Sequence, residues 1–143
     1  MLTTNQKGLI AETAIMAECV KLGIGVSRPI DDERYDLILD LRGKLVRVQC
    51  KWACRYEDVV LARLCSNRRG PNGMITRRYT EDEIDAFAVH CAELGRSFFI
   101  PANECRRREV RLRLGPTKNN QARHVRWARD FEFAAKMTEL LGP

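Results

Sequence analysis

The chain has no apolar run approaching the roughly 18 residues that cross a bilayer. Its opening, MLTTNQKGLIAETA, lacks the basic stretch and continuous apolar segment that export requires. A cytoplasmic protein with no membrane association is expected. Six cysteines are present, but no CxxC pair, and there are only two histidines, His90 and His124. Zinc ligand spacing is therefore missing. Four of the cysteines lie in apolar runs, where a free thiol acts as a small hydrophobe, so reduced core thiols are expected. The phosphate loop GxxxxGK[ST] is absent, which leaves nucleotide hydrolysis unsupported. No Ser-His-Asp arrangement, internal repeat or low-complexity segment is found.

What is present suits one globular domain spanning residues 1–143, long enough to bury a core without disulfides or structural metal. The composition is 45% hydrophobic and 31% charged, with a formal net charge of +6. The basic surplus is uneven. Between Glu104 and Arg129 there are nine Lys or Arg and two acidic residues, and NRRGPNGMITRRY holds four more arginines. Arginine forks match phosphate oxygens two bonds at a time, so nucleic acid is one reading and a solvated basic surface the other. The same pair of readings applies to the basic Gly/Pro loop expected over residues 66–80, with Arg68, Arg69, Arg77 and Arg78, and to Arg106 and Arg107.

Along the chain, TTNQ predicts a helix start, with Thr3 capping and Gln6 bonding back, and the helix stops near Gly23. On a helical wheel Glu12 falls between Cys19 and Met16, on the apolar arc with Leu9. A carboxylate there loses hydration and needs a cation, a donor or a metal, unless it reaches outward at the helix edge. YDLILDL and KLVRVQCKWA around an Arg-Gly turn read as an antiparallel hairpin. If the turn has two or four residues, facing positions sum to 85. Leu37 then faces Val48 and Leu39 faces Val46, while Asp36, Gln49 and Lys51 share the other side. Cys50 and Trp52 are expected in the core.

Further strands are expected at VVLARL, over residues 84–91, at RSFFIP and at EVRLRL. A final helix is expected over residues 122–141, with Trp127, Phe131 and Ala135 as its seam and His124 fitting it. TKNNQ places Lys118, Asn119, Asn120 and Gln121 ahead of that helix, as a phosphate contact or a plain cap. Asp85, at the start of a strand, is read as a cap or a brace of the fold, and His90 as a satisfied sheet histidine. The order of elements is α/β or α+β with a mixed sheet.

In the expected register the β-carbons of Asp36 and Gln49 lie about 4.5 to 5.5 Å apart. Asp36, the Gln49 amide oxygen, the Cys50 main-chain carbonyl and Glu12 make an oxygen set suited to a hard divalent cation. Lys51 projects to the same side, placed to orient water or stabilise charge on a phosphorus centre.

These residues resemble the PD-(D/E)XK nuclease superfamily: a helix glutamate, an aspartate on one strand, and an acid-x-lysine on the next, which is Gln-x-Lys in YDLILDLRGKLVRVQCK. Within it the chain looks most like the small branch of group I intron homing endonucleases, where Gln-x-Lys is an accepted form. QKGLIAE, YTEDEIDAFAVHC, FFIP and KNNQARHVRWARDFEF carry the likeness along nearly the whole chain. The resemblance implies a restriction-endonuclease-like core, a mixed sheet flanked by helices. It implies Glu12, Asp36, Gln49 and Lys51 as catalytic residues, with Mg2+ or Mn2+ held by Glu12, Asp36, Gln49 and the Cys50 carbonyl. The expected activity is hydrolysis of double-stranded DNA by a homodimer or higher homo-oligomer. A nuclease-like domain that binds DNA without cutting it, and a Holliday-junction resolvase-like or repair nuclease, are the alternatives.

Overall fold

The computed structural model describes residues 1–119 and 123–143. Helix α1 (Thr4–Lys21) begins with the expected reciprocal cap: the Thr3 hydroxyl accepts from the Gln6 N–H at 3.1 Å and the Gln6 amide oxygen accepts from the Thr3 N–H at 2.8 Å. It ends before Gly23, whose φ of 72° is the left-handed conformation that glycine adopts at least cost. Its inner face is Ala11, Ile15 and Cys19, whereas Leu9 is 52% exposed. The apolar arc is thus rotated from the expected one, and Glu12 stands at its border with a side chain 16% exposed.

Among the described residues nine strands follow: β1 (Gly25–Ser27), β2 (Leu37–Leu41), β3 (Lys44–Tyr56), β4 (Val59–Arg63), β5 (Cys65–Gly70), β6 (Gly73–Arg78), β7 (Ala86–Cys91), β8 (Arg96–Pro101) and β9 (Glu109–Arg113). Helix α2 (Phe133–Leu141) closes the chain. The β2–β3 hairpin has the expected register, Leu37 opposite Val48 and Leu39 opposite Val46. Seven strands form one mixed sheet centred on β3, because β7 runs parallel to it.

Double pairings fix the geometry of β3. Val48 pairs with Leu37 of β2 and with Ala86 of β7, and Ala53 pairs with Ala62 of β4 and with Cys91 of β7. A strand has only two edges, so β2 and β4 share one edge of β3 and β7 takes the other. Between the last β2 pair and the first β4 pair, residues 49–52 have β7 on one side and no paired strand on the other, among the described residues.

Alternation divides the core between the two faces of this sheet. Cys19 and Ile15 of α1 and Phe133 and Met137 of α2 cover Leu37, Leu39, Val48, Cys50 and Ala88. Phe87, Val89, Phe98, Ile100, Val60 and Leu112 pack on the opposite face. Cys50 is buried as expected, but Trp52 is only half-buried and lies beneath the Lys7 ammonium, 5.8 Å from its ring centre. All six cysteines are free.

Two segments differ from expectation. The basic stretch expected as a loop is a two-stranded antiparallel hairpin, β5–β6, with Gly70 opposite Gly73 around Pro71 and Asn72. Its pattern shows no alternation because β6 is exposed along its whole length. The long final helix is reduced to α2, preceded by a 3-10 turn (Ala128–Phe131). Before that turn the chain is held extended: the Arg113 N–H donates to the Arg126 carbonyl at 2.7 Å, and Trp127 bridges to Arg113. Sheet pairing outweighs helical periodicity there. The helical seam is therefore Phe133 and Met137, with Ala135 exposed and His124 in an exposed turn.

Candidate active site

The break in pairing along β3 is where the predicted residues gather. Asp36 lies immediately before β2 and holds β3 twice. Its N–H donates to the Val48 carbonyl at 2.8 Å, and its Oδ2 accepts from the Cys50 N–H at 3.0 Å. A side chain thus occupies the position that a continuing strand would fill. In an extended strand the N–H and C=O of one residue project to the same edge, so the Cys50 carbonyl also opens on this side.

Burial pushes the Asp36 carboxyl above the usual carboxylate range. The Cys50 N–H opposes that shift, the Glu12 carboxylate adds to it, and Lys51 and Arg28 pull it back. Burial also lowers the Lys51 ammonium, aided by Arg34 and opposed by Asp36. Lys51 Nζ donates to the Cys65 carbonyl at 3.0 Å and lies 5.0 Å from the centre of the Tyr79 ring. Cys50 is no reactive thiol, because burial holds its pKa far above the ordinary value.

Glu12 approaches from α1, on the Cys50 face of the sheet, whereas Gln49 and Lys51 point to the opposite face with Phe87 and Val89. Asp36, at the end of β2, feels both Glu12 and Lys51. Glu12 has a cation that sequence patterning does not supply: Arg28 Nη2 is 2.6 Å from its Oε1. Gln49 makes no hydrogen bond to any described residue, so its amide oxygen is open to a ligand. Among the described residues no three His, Cys, Asp or Glu side chains converge on a metal position. Two carboxylates, one amide oxygen and one main-chain carbonyl are oxygen donors of the kind a hard divalent ion takes, with Glu12 and Gln49 reaching the strand edge from opposite faces of the sheet. A cation here would also compensate the poorly solvated Asp36.

The predicted nucleic-acid residues fall in three places. Arg68 and Arg69 are exposed on β5 and pair with no described residue, while Arg77 is bonded to Glu83 at 2.8 Å and Arg78 donates to the Arg106 carbonyl. Arg106 and Arg107 are exposed and line a concavity of about 700 Å3 with Arg111 and Arg126. Lys118 and Asn119 line a separate one of about 470 Å3, and Lys118 stands 3.6 Å from Glu57. They do not precede a helix N-terminus, since α2 begins only at Phe133. Asn120 and Gln121 lie outside the described residues.

Arg34, Tyr79 and Glu83 stand beside the site and carry no sequence signal that would single them out. Arg34 stacks 3.9 Å from the Tyr79 ring centre and reaches Glu83 at 3.0 Å. No local pattern announces such a cluster, because 49 residues separate Arg34 from Glu83. Asp85 is a brace, as expected. It accepts from the Arg47 N–H at 2.8 Å and from its guanidinium at 3.1 and 3.2 Å. His90 Nδ1 is 2.8 Å from Ser97 Oγ, a satisfied sheet histidine.

No curated protein matches the chain. Among solved structures it is similar to that described as a bacterial homing endonuclease, I-Ssp6803I, with a TM-score of 0.77 and 23% identity over 95% of this chain and 93% of the other. That likeness establishes a shared fold, the restriction-endonuclease-like mixed α and β architecture. A family model described as PD-(D/E)XK endonuclease matches residues 2–134, nearly the whole length. The chain, with its aspartate and lysine at a break in sheet pairing, belongs to the PD-(D/E)XK endonuclease family.

Proposed function

We propose that this protein is a divalent-metal-dependent endonuclease that hydrolyses phosphodiester bonds of double-stranded DNA. The observation that carries the reading is Asp36 bonded to the unpaired edge of β3, beside a lysine whose ammonium is also poorly solvated. Burial raises the carboxyl and lowers the ammonium, and shifts of this kind cluster at functional sites.

Glu12, Asp36, the Gln49 amide oxygen and the Cys50 carbonyl would hold Mg2+ or Mn2+. The ion supplies charge neutralisation at phosphate and acidifies water. Lys51 orients the attacking water and offers positive charge to the phosphoryl oxygens as they gain electron density. In the balanced reaction water oxygen bonds to phosphorus, one P–O ester bond breaks, and the leaving oxygen takes a proton. The exposed arginines of the β5–β6 hairpin and Arg106 and Arg107 hold the backbone. One chain contributes one site, so cutting both strands calls for at least a homodimer. A homing-type role is supported by the likeness to a homing endonuclease fold.

A second reading, a DNA-binding domain without turnover, is favoured by Gln49 in an acid position and by the Glu12–Arg28 ion pair, which occupies one of two carboxylates. Supercoiled plasmid incubated with Mg2+ or Mn2+ separates the two. Cleavage by the wild type that disappears in Asp36→Ala and Lys51→Ala supports the nuclease. DNA shifted in a gel but left intact by all three proteins supports the second reading. Equal cleavage by all three would place the active site elsewhere.

A further inference from the structure

Arg34 lies two residues before Asp36, and it is the most heavily engaged side chain beside the site. Its Nη1 donates to Ser66 Oγ on β5 at 2.9 Å, and its Nη2 donates to the Arg78 carbonyl at the end of β6 at 2.9 Å. Its Nε donates to Glu83 at 3.0 Å, and its plane stacks on Tyr79. One guanidinium therefore grips both strands of the basic hairpin at their base. The side chain is 23% exposed and Glu83 is 17% exposed, so the bonds to Glu83 and Ser66 are partly shielded from water, whereas the bond to the Arg78 carbonyl is exposed.

The same base reaches the catalytic edge by a second route. Lys51 donates to the Cys65 carbonyl, the first residue of β5, and shares the Tyr79 ring with Arg34. Tyr79 in turn meets Phe87 of β7 edge-on, with centroids 5.6 Å apart. Hairpin and lysine are thus tied through one arginine and one tyrosine, and the arginine stands two residues before the aspartate. Ladder bonds hold the hairpin together internally, but it belongs to no larger sheet, so its angle to the site depends on its base.

We propose that Arg34 is a positioning residue for cleavage, fixing the β5–β6 hairpin and the DNA it holds against the β3 edge that carries Lys51. This rests on the nuclease reading above. Arginine chemistry suits such a role, because a planar fork makes three directed bonds and a stack, whereas a lysine's three N–H bonds leave a single atom and match neither the fork's directions nor its flat stack. Glu83 keeps Arg77 and the Thr80 N–H at 3.1 Å when Arg34 is removed, so the fold tolerates the change.

The test compares wild type, Arg34→Met and Arg34→Lys on an end-labelled duplex. Cut positions are mapped on a denaturing gel with Mg2+, and duplex affinity is measured separately in EDTA. Arg34→Met is expected to fold and keep most of its affinity, to cut roughly 10- to 100-fold more slowly at saturating DNA, and to spread its cuts over neighbouring phosphates, because small misplacement is costly in rate. Arg34→Lys is expected to fall between the two. Hydrogen exchange should show residues 65–78 losing protection in Arg34→Met while β7 keeps it. Wild-type rate and a single wild-type cut position in Arg34→Met would overturn the positioning role. So would losses of affinity and rate in equal proportion, which would mark Arg34 as a DNA contact only. Wild-type protein that leaves DNA uncut would instead sink the nuclease reading and take this role with it.

Discussion

Two aspartates flank β3 and behave oppositely. Asp85 receives the Arg47 guanidinium and main-chain N–H, and these hydrogen bonds hold its carboxyl below the usual range and raise the guanidinium in turn. Asp36 receives one main-chain N–H and is half-buried, and the loss of solvent raises its carboxyl. Both aspartates brace the same strand, but only one has its charge settled. The unsettled one feels the charge of Lys51, which burial shifts in the opposite sense. The difference teaches that position in a sheet does not decide whether a carboxylate's charge is met. What distinguishes the two is whether the fold itself supplies the counter-charge.

The largest expected effect tests the catalytic half of that contrast. Asp36→Ala or Lys51→Ala should each lower plasmid cleavage by about a thousandfold, the scale seen when a group that stabilises developing charge is removed. Asp85→Asn, assayed per folded molecule, should cleave at close to the wild-type rate. A collapse of activity in folded Asp85→Asn would erase the distinction.

Next is the structural half. Asp85→Ala should cost about 1 kcal/mol in urea unfolding, less than a fully buried charged bond would, because the pair is partly exposed and water screens it. Unchanged stability would mean that the clasp contributes nothing.

Smaller shifts come from removing the strained charge. Asp36→Asn, unable to ionise yet still able to accept from the Cys50 N–H, should melt roughly a few degrees higher than wild type at neutral pH without metal. The signs follow from linkage. A raised folded pKa means that Asp36 costs least below the ordinary aspartate value, with the cost growing as pH rises through the folded value. Asp85 contributes stability above the ordinary value and loses it as pH falls through its lowered one. The melting advantage of Asp36→Asn should therefore vanish in acid, and an advantage that persisted there would point to packing instead.

The smallest effect concerns the hairpin. Arg68→Ala and Arg69→Ala should each reduce the salt dependence of DNA binding by about one unit of log–log slope if each side chain meets one phosphate. Fluorescence anisotropy across a salt series reads this directly. An unchanged slope would return these arginines to the solvated surface.

Much of this arrangement is legible in the sequence. The β2–β3 register follows from alternation once the turn is given an even length, and with it the meeting of Asp36 and β3. The Thr3–Gln6 cap is a local signal and is legible as such. The β5–β6 hairpin is not, because alternation marks a strand only when one face is buried, and this ribbon buries almost nothing. The GPNG turn is its one local sign. The long final helix fails for the converse reason. Residues near Trp127 fit a helical period, but pairing with β9 outweighs it. Arg28 and Arg34 lie in the connection between β1 and β2, and only tertiary contact identifies their partners.

The interruption at residues 49–52 bears on solubility as well. A strand edge with free backbone groups is a template for foreign strands, and proteins generally shorten, charge or cover such edges to prevent aggregation. A site that presents a main-chain carbonyl to a ligand needs that kind of edge. Here the opening is four residues long, bounded by paired strands at both ends and guarded by Asp36 and Lys51. An ion or a phosphate can enter it, but a fifth residue of an invading chain would meet β2 or β4.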